Sequence, residues 1–349
     1  MKTVGAIVAA VVMVVAAVLI RADIDDARNT DGNARLVCAT ELEEACSQLD
    51  DAVGGLDVTV EAAGETAERL VALPDSEVDD PGIDGWLVPG PWPQIVDILR
   101  GQQQLQPVFE ESPTTLARSP LVIVMRKDRG RVLEQGPCAG AVAWPCLGDV
   151  AGDEWDELGG EASWGSVKVA HTDPTTSATG LLVLAQAASE FFGGPGYSRA
   201  ELQTDEFLAW LERLEDSGAP AASPFEEMLS KFPTAVYDAA GASEAEAGPV
   251  LAEAAPDRRD AFTLLYPEPV TTADVVLALT TSDDRDEDIA DLAAGGRARQ
   301  ELAETGWRVD GQDLAEGVRK RIQLPAGTGL PTDAGVFIAL QDSWRQVTG

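Results

Sequence analysis

The residues of this chain best suited to chemistry lie in one stretch, His171-Thr172-Asp173-Pro174-Thr175-Thr176-Ser177-Ala178-Thr179-Gly180. Within it, Thr175 to Gly180 carries four hydroxyl residues, Thr175, Thr176, Ser177 and Thr179, just before an apolar run at 181–192 that reads as a helix. A helix start offers unpaired backbone N–H groups and the positive end of the peptide dipoles. Hydroxyls beside those groups make a receptor for an anion or a polar ligand. A plain Ser/Thr cap, which needs one hydroxyl, is the simpler reading of the same residues. Catalysis has less to work with. His171 is the sole histidine, no nucleophile elbow lies beside it, and no phosphate-binding glycine loop occurs. Carboxylate pairs are too common in so acidic a chain to mark a site. His171 itself reads as structural, next to Asp173-Pro174. The expectation is a binding protein and not an enzyme, with no cofactor and no metal centre.

The elements that must position these residues alternate strand and helix from Ala34 onward. Residues 36–39, 58–61 and 85–88 read as strands, with helices over 40–53 and 65–72 between them. Thr40 and Glu43 fit a capping box opening the first helix. Residues 120–125, Pro-Leu-Val-Ile-Val-Met, form a continuous apolar strand of the kind buried on both faces. Further strands are expected at 167–170, 235–237, 262–267 and 273–279. Helices are expected at 207–214, 224–231, 288–303 and 333–346. This order argues for an α/β fold with a parallel sheet covered by helices. In such sheets the ligand crevice lies at the carboxyl ends of the strands. Thr40, Gly64, Trp86 to Pro89, Thr175 to Thr179 and Tyr237 all fall there.

Composition bounds where the chain works. Residues 4–20 are uncharged and largely apolar, between Lys2 and Arg21, at the short end of what spans a bilayer. A cleaved signal and a retained anchor compete. The residues around Ala17 and Ala22 make poor cleavage sites, and no Cys follows closely enough for a lipid anchor, so a retained transmembrane helix over 1–21 is favoured. Lys2 would stay inside, with a polar linker at 22–33 outside. The net charge of −35 leaves no basic face for phosphates and so argues against nucleic acid. The four cysteines, 38, 46, 138 and 146, suit disulfides in an oxidising compartment. Two local loops of equal spacing favour Cys38–Cys46 with Cys138–Cys146. A zinc site is the rival reading, and with one histidine it is poorly supplied.

The segment order resembles the bacterial extracellular solute-binding proteins of the two-lobed, type 2 periplasmic-binding kind. It is most similar to actinobacterial substrate-binding domains that often precede a von Willebrand factor A domain. The residues that carry the likeness are Leu36 to Glu41, Asp84-Gly85-Trp86-Leu87-Val88-Pro89, the crossover Ala117-Arg118-Ser119-Pro120-Leu121-Val122-Ile123-Val124, and the loop Asp173 to Leu181. Leu265-Tyr266-Pro267 and Glu304-Thr305-Gly306-Trp307-Arg308 also fit. The resemblance implies a solute-binding domain over 34–349. One lobe would hold about 34–118 and 268–310, the other about 122–262, and the last helix would pack near the hinge. It places Thr40, Trp86, Ser119, Thr176, Ser177, Thr179 and Tyr237 at the ligand cleft. Together with the anchor read from residues 1–21, it implies an extracytoplasmic protein holding a small polar ligand, with an ABC permease as partner. The alternative is a surface scaffold using the same fold to bind a protein or cell-wall polymer. An oxyanion ligand would have to overcome the acidic field, with help from Arg118 or Arg126.

Overall fold

In the computed structural model the described residues are 33–349, apart from 53–55, 219–220, 282–288, 290–291 and 293–295. The run at 4–20, read above as an anchor, and nearly all of the 22–33 linker lie outside them. Among the described residues no helix is long and apolar enough to cross a membrane.

Among the described residues eight strands form the frame: β1 (Ala34–Ala39), β2 (Leu56–Glu61), β3 (Gly85–Pro89), β4 (Thr114–Arg126), β5 (Val169–Ala170), β6 (Ala239–Ser243), β7 (Phe262–Leu265) and β8 (Thr272–Leu279). Their spatial order is β2-β1-β3-β8-β4-β6-β5, with β7 also paired to β4. β1 runs parallel to β2 and β3, while β8 is antiparallel to β3. The sheet is therefore mixed, not purely parallel.

β4 joins the two ends of this order. Its first half, Thr114 to Pro120, pairs with β8. Its second half pairs with β6 over Leu121 to Met125 and with β7 over Ile123 to Arg126. The apolar run 121–125 is wholly buried, as a strand covered on both faces requires. The strand is thirteen residues long, about twice what the apolar run alone suggests.

Two local expectations fail, each for a physical reason. No strand forms at Ala235 to Tyr237; the strand begins two residues later, as Ala239-Ala240-Gly241-Ala242-Ser243. These small residues lack the β-branched signature of a strand. They are selected by close packing: a Cβ on Gly241 would sit 2.3 Å from Val183 Cγ1. Thr40 and Glu43 do not make a capping box. Thr40 opens a 3-10 turn, Thr40–Leu42, and the α-helix starts only at Glu43. A true capping box occurs at Ser243 and Glu246, opening the helix Glu244–Glu253.

Disulfides join Cys38 to Cys46 and Cys138 to Cys146. The first ties the end of β1 to the helix Glu43–Ala52 across the Thr40–Leu42 turn. The last helix, Ala334–Thr348, is capped by Asp333, whose carboxylate accepts from Gly335 N. It packs on the helices Trp92–Gln102 and Asp205–Asp216.

Candidate functional site

A cleft of about 1140 Å3 opens where the carboxyl ends of β1, β5 and β6 converge. From the β1 side come Thr40, Glu41, Glu43 and Glu44; from the β5 side, Asp173, Thr176, Ser177 and Thr179. The β6 side adds Gly241, Ala242 and Glu246, and Phe225 and Trp307 supply aromatic wall. β1 lies beyond β8 from β4, and β5 and β6 lie on β4's other flank, so the cleft is walled from both halves of the fold.

The helix Ala178–Phe191 points its N-terminus here, and its hydroxyl cluster can be accounted for group by group. Ser177 is the cap, accepting from Gly180 N at 3.0 Å. Its own hydroxyl donates to Glu41 Oε1 at 2.6 Å, and Thr179 N donates to the same oxygen at 3.1 Å. Thr179 Oγ1 donates to Glu246 Oε2 at 2.8 Å. Thr175 donates its hydroxyl and backbone N–H to Asp173 Oδ1. The Thr176 hydroxyl reaches only Asp173 O, at 3.4 Å, while Thr176 O accepts from Gly64 N. The N-terminus expected to receive an anion or a polar ligand is thus filled by a carboxylate of the chain itself. That placement satisfies the orphan N–H groups and the helix dipole together.

Glu41 and Glu246 therefore flank Thr179, one on its backbone N–H and one on its hydroxyl. Burial, reinforced by the Glu41 carboxylate, pushes Glu246 up to about 7. Glu246 Oε2 also accepts from Ser243 N within the capping box. Neither glutamate was an expected site residue. Ser243-Glu244-Ala245-Glu246 matches the Ser-x-x-Glu signature and was detectable. Glu41 carried no such mark, because its partner lies 136 positions along the chain.

Of the expected site residues, the structure brings Thr40, Thr176, Ser177 and Thr179 to the cleft. It does not bring Trp86, Ser119 or Tyr237 there. Trp86 is in the core, stacked on Phe109 at 5.8 Å between centroids. Ser119 is buried behind the cleft, where its hydroxyl accepts from Ala245 N at 2.9 Å and so seats the start of the Glu244–Glu253 helix. Tyr237 belongs to a second apolar cluster with Phe225 and Met228. Arg118 and Arg126 are also engaged elsewhere. Arg118 binds Asp274, Thr272 and the carbonyls of Pro325 and Gly327, and Arg126 binds Asp128 and Pro233 O. His171 sits under the cleft loop, between Glu215 Oε1 at 2.8 Å and Thr172 O at 2.7 Å. Among the described residues no cluster of His, Cys, Asp and Glu is arranged to hold a metal ion.

Known structures share this architecture. The fold is similar to that of a periplasmic thiamin-binding protein, with a TM-score of 0.52 and 11% identity, covering 90% of this chain and 96% of that one. It is similar to a Bordetella ferric-binding protein, with a TM-score of 0.53 and 16% identity, covering 90% and 98%. It is also similar to the apo ferric ion-binding protein A of Pasteurella haemolytica, with a TM-score of 0.56 and 12% identity, covering 90% and 95%. At such identities the likeness is one of fold. A search of curated protein sequences finds no match. The sequence itself matches the family model of the bacterial extracellular solute-binding proteins over residues 55–308. With its strand order, its shared β4 and its cleft between the two halves, this chain belongs to the bacterial extracellular solute-binding protein family.

Proposed function

We propose that this chain is a membrane-anchored, extracytoplasmic receptor that captures a small polar solute in the cleft and hands it to an ABC permease. The observation that carries this reading is the cleft itself, walled by side chains that follow β1 on one hand and β5 and β6 on the other. In this reading residues 34–118 and 268–310 act as one lobe and 122–262 as the other, closing on the solute about β4. Thr40, Thr176, Ser177 and Thr179 line the binding surface. The apolar run at 4–20 serves as the anchor and 22–33 as the tether. Neither catalysis nor a cofactor is needed.

A thermal-shift panel of oxyanions, sugars, amino acids and small organic cations tests it. Two of the similar structures are named for thiamin and ferric ion, so both belong in the panel. A ligand at about a hundred times its Kd stabilises by about 2.7 kcal/mol, readily seen as a rise in Tm. The rise should be specific to one solute class and lost in the S177A/T179A double variant. An unchanged shift in that variant would remove the site assignment. A flat response across the panel would count against solute capture and favour a scaffold that binds a macromolecule.

A further inference from the structure

The side chains lining the cleft are of one charge sign. Glu41, Glu43, Glu44, Asp173, Glu226 and Glu246 line it, and among the described residues no lysine, arginine or histidine does. The acidity alone would say little in a chain of net charge −35. The donor account is the independent observation. Every hydroxyl at the start of the Ala178–Phe191 helix donates to an oxygen of the chain, and Thr179 N is spent on Glu41. An anion entering the cleft would meet carboxylates and find the helix start already filled. Acceptor capacity, by contrast, is left over. Glu246 Oε1 receives no hydrogen bond from a described residue, and Glu41 Oε2 receives only a long one from Thr40, at 3.4 Å. The volume of about 1140 Å3 leaves room for an organic molecule. Trp307 and Phe225, both largely buried, border the same cleft, and aromatic rings attract cationic groups that reach them.

Resting on the reading of the cleft as a solute site, we propose that the captured solute is an organic cation, an ammonium or guanidinium compound. Glu41 and Glu246 hold its charged group, and the aromatic wall covers its carbon skeleton. The cation answers the repulsion between the two carboxylates, and Glu246 sheds its proton as the cation binds.

Isothermal titration of the full chain with spermidine, choline, arginine, glucose and sulfate tests this. One of the cations should bind, sulfate should not, and E41Q and E246Q should each weaken binding about tenfold or more, as loss of a charge-assisted contact implies. Gln at 246 keeps the capping box and Gln at 41 keeps an acceptor for Thr179 N, so both variants should retain the wild-type Tm. Affinity should rise between pH 6 and pH 8 with proton release, and E246Q should remove that pH dependence. Sulfate or glucose binding that E41Q leaves intact or improves would overturn the cation and leave solute capture standing. Absence of binding to any probe, in the titration and in the wider thermal-shift panel alike, would overturn both.

Discussion

At the scale of single residues, His171 shows how the charged form of a buried group is favoured. Burial works against its cation, but the Glu215 carboxylate outweighs that cost and raises the imidazole pKa above its ordinary 6.5. Both ring nitrogens face oxygens, Glu215 Oε1 and Thr172 O, which only an imidazolium satisfies as a double donor. Because the folded-state pKa is raised, the stabilisation is fully present below 6.5 and fades as pH rises through the raised value. As the chain's sole histidine, it gives one clean NMR titration. The resonance should titrate above 6.5 in the wild type and move down in E215Q; a titration at or below 6.5 in the wild type would contradict the ion pair. Reading His171 as structural from sequence agrees with this placement. The hydroxyl cluster was legible too, since its density is local. What it binds was not, because Glu41 and Glu246 are brought to Thr179 from positions 138 and 67 residues away, and composition carries no trace of such pairings.

At the scale of elements, the loop at 172–177 docks on the start of the helix Ala63–Ala72. Gly64 N donates to Thr176 O at 3.0 Å, and a Cβ at Gly64 would fall 2.1 Å from Thr175 O. That backbone contact cannot yield as a flexible side chain would. G64A should cost about 1–3 kcal/mol, the usual penalty of overpacking, measurable by chemical denaturation. It should also displace Ser177 from Glu41 and weaken solute binding in the same titration. A fully stable, fully binding G64A would show that the loop does not need this seat. Elements with bulky apolar runs were readable: β1, β3, β4, β8 and the helix after Ser177 all lie near their expected positions. β6 was not, since five small residues leave no pattern. The helix that follows it carries Pro249 in its interior, which speaks against a helix and masks the start signal at Ser243 and Glu246. Missing both hid Glu246.

At the scale of the whole molecule, the two halves share one strand and one sign of charge. With a net charge of −35, the folded chain repels itself. Raising sodium chloride from about 0.01 M to about 0.15 M shortens the Debye length from about 30 Å to about 8 Å. Tm by calorimetry should therefore rise over that range; a fall would mean that favourable ion pairs, such as Arg308–Glu244 and Arg118–Asp274, outweigh the repulsion. The general α/β architecture was legible from the strand–helix alternation. The antiparallel β8 between β3 and β4 was not, because which strand sits beside which is decided by packing far along the chain. The Cys38–Cys46 bond reaches beyond its own loop in the same way. It brackets the turn that carries Thr40 and Glu41, so the segment that aims the Glu41 carboxylate at the helix start is closed by a covalent staple. A molecule without the staple keeps its sequence but should lose the fixed aim of Glu41. On the proposed reading, solute capture then depends on the oxidation of these two thiols as well as on the sequence that places them.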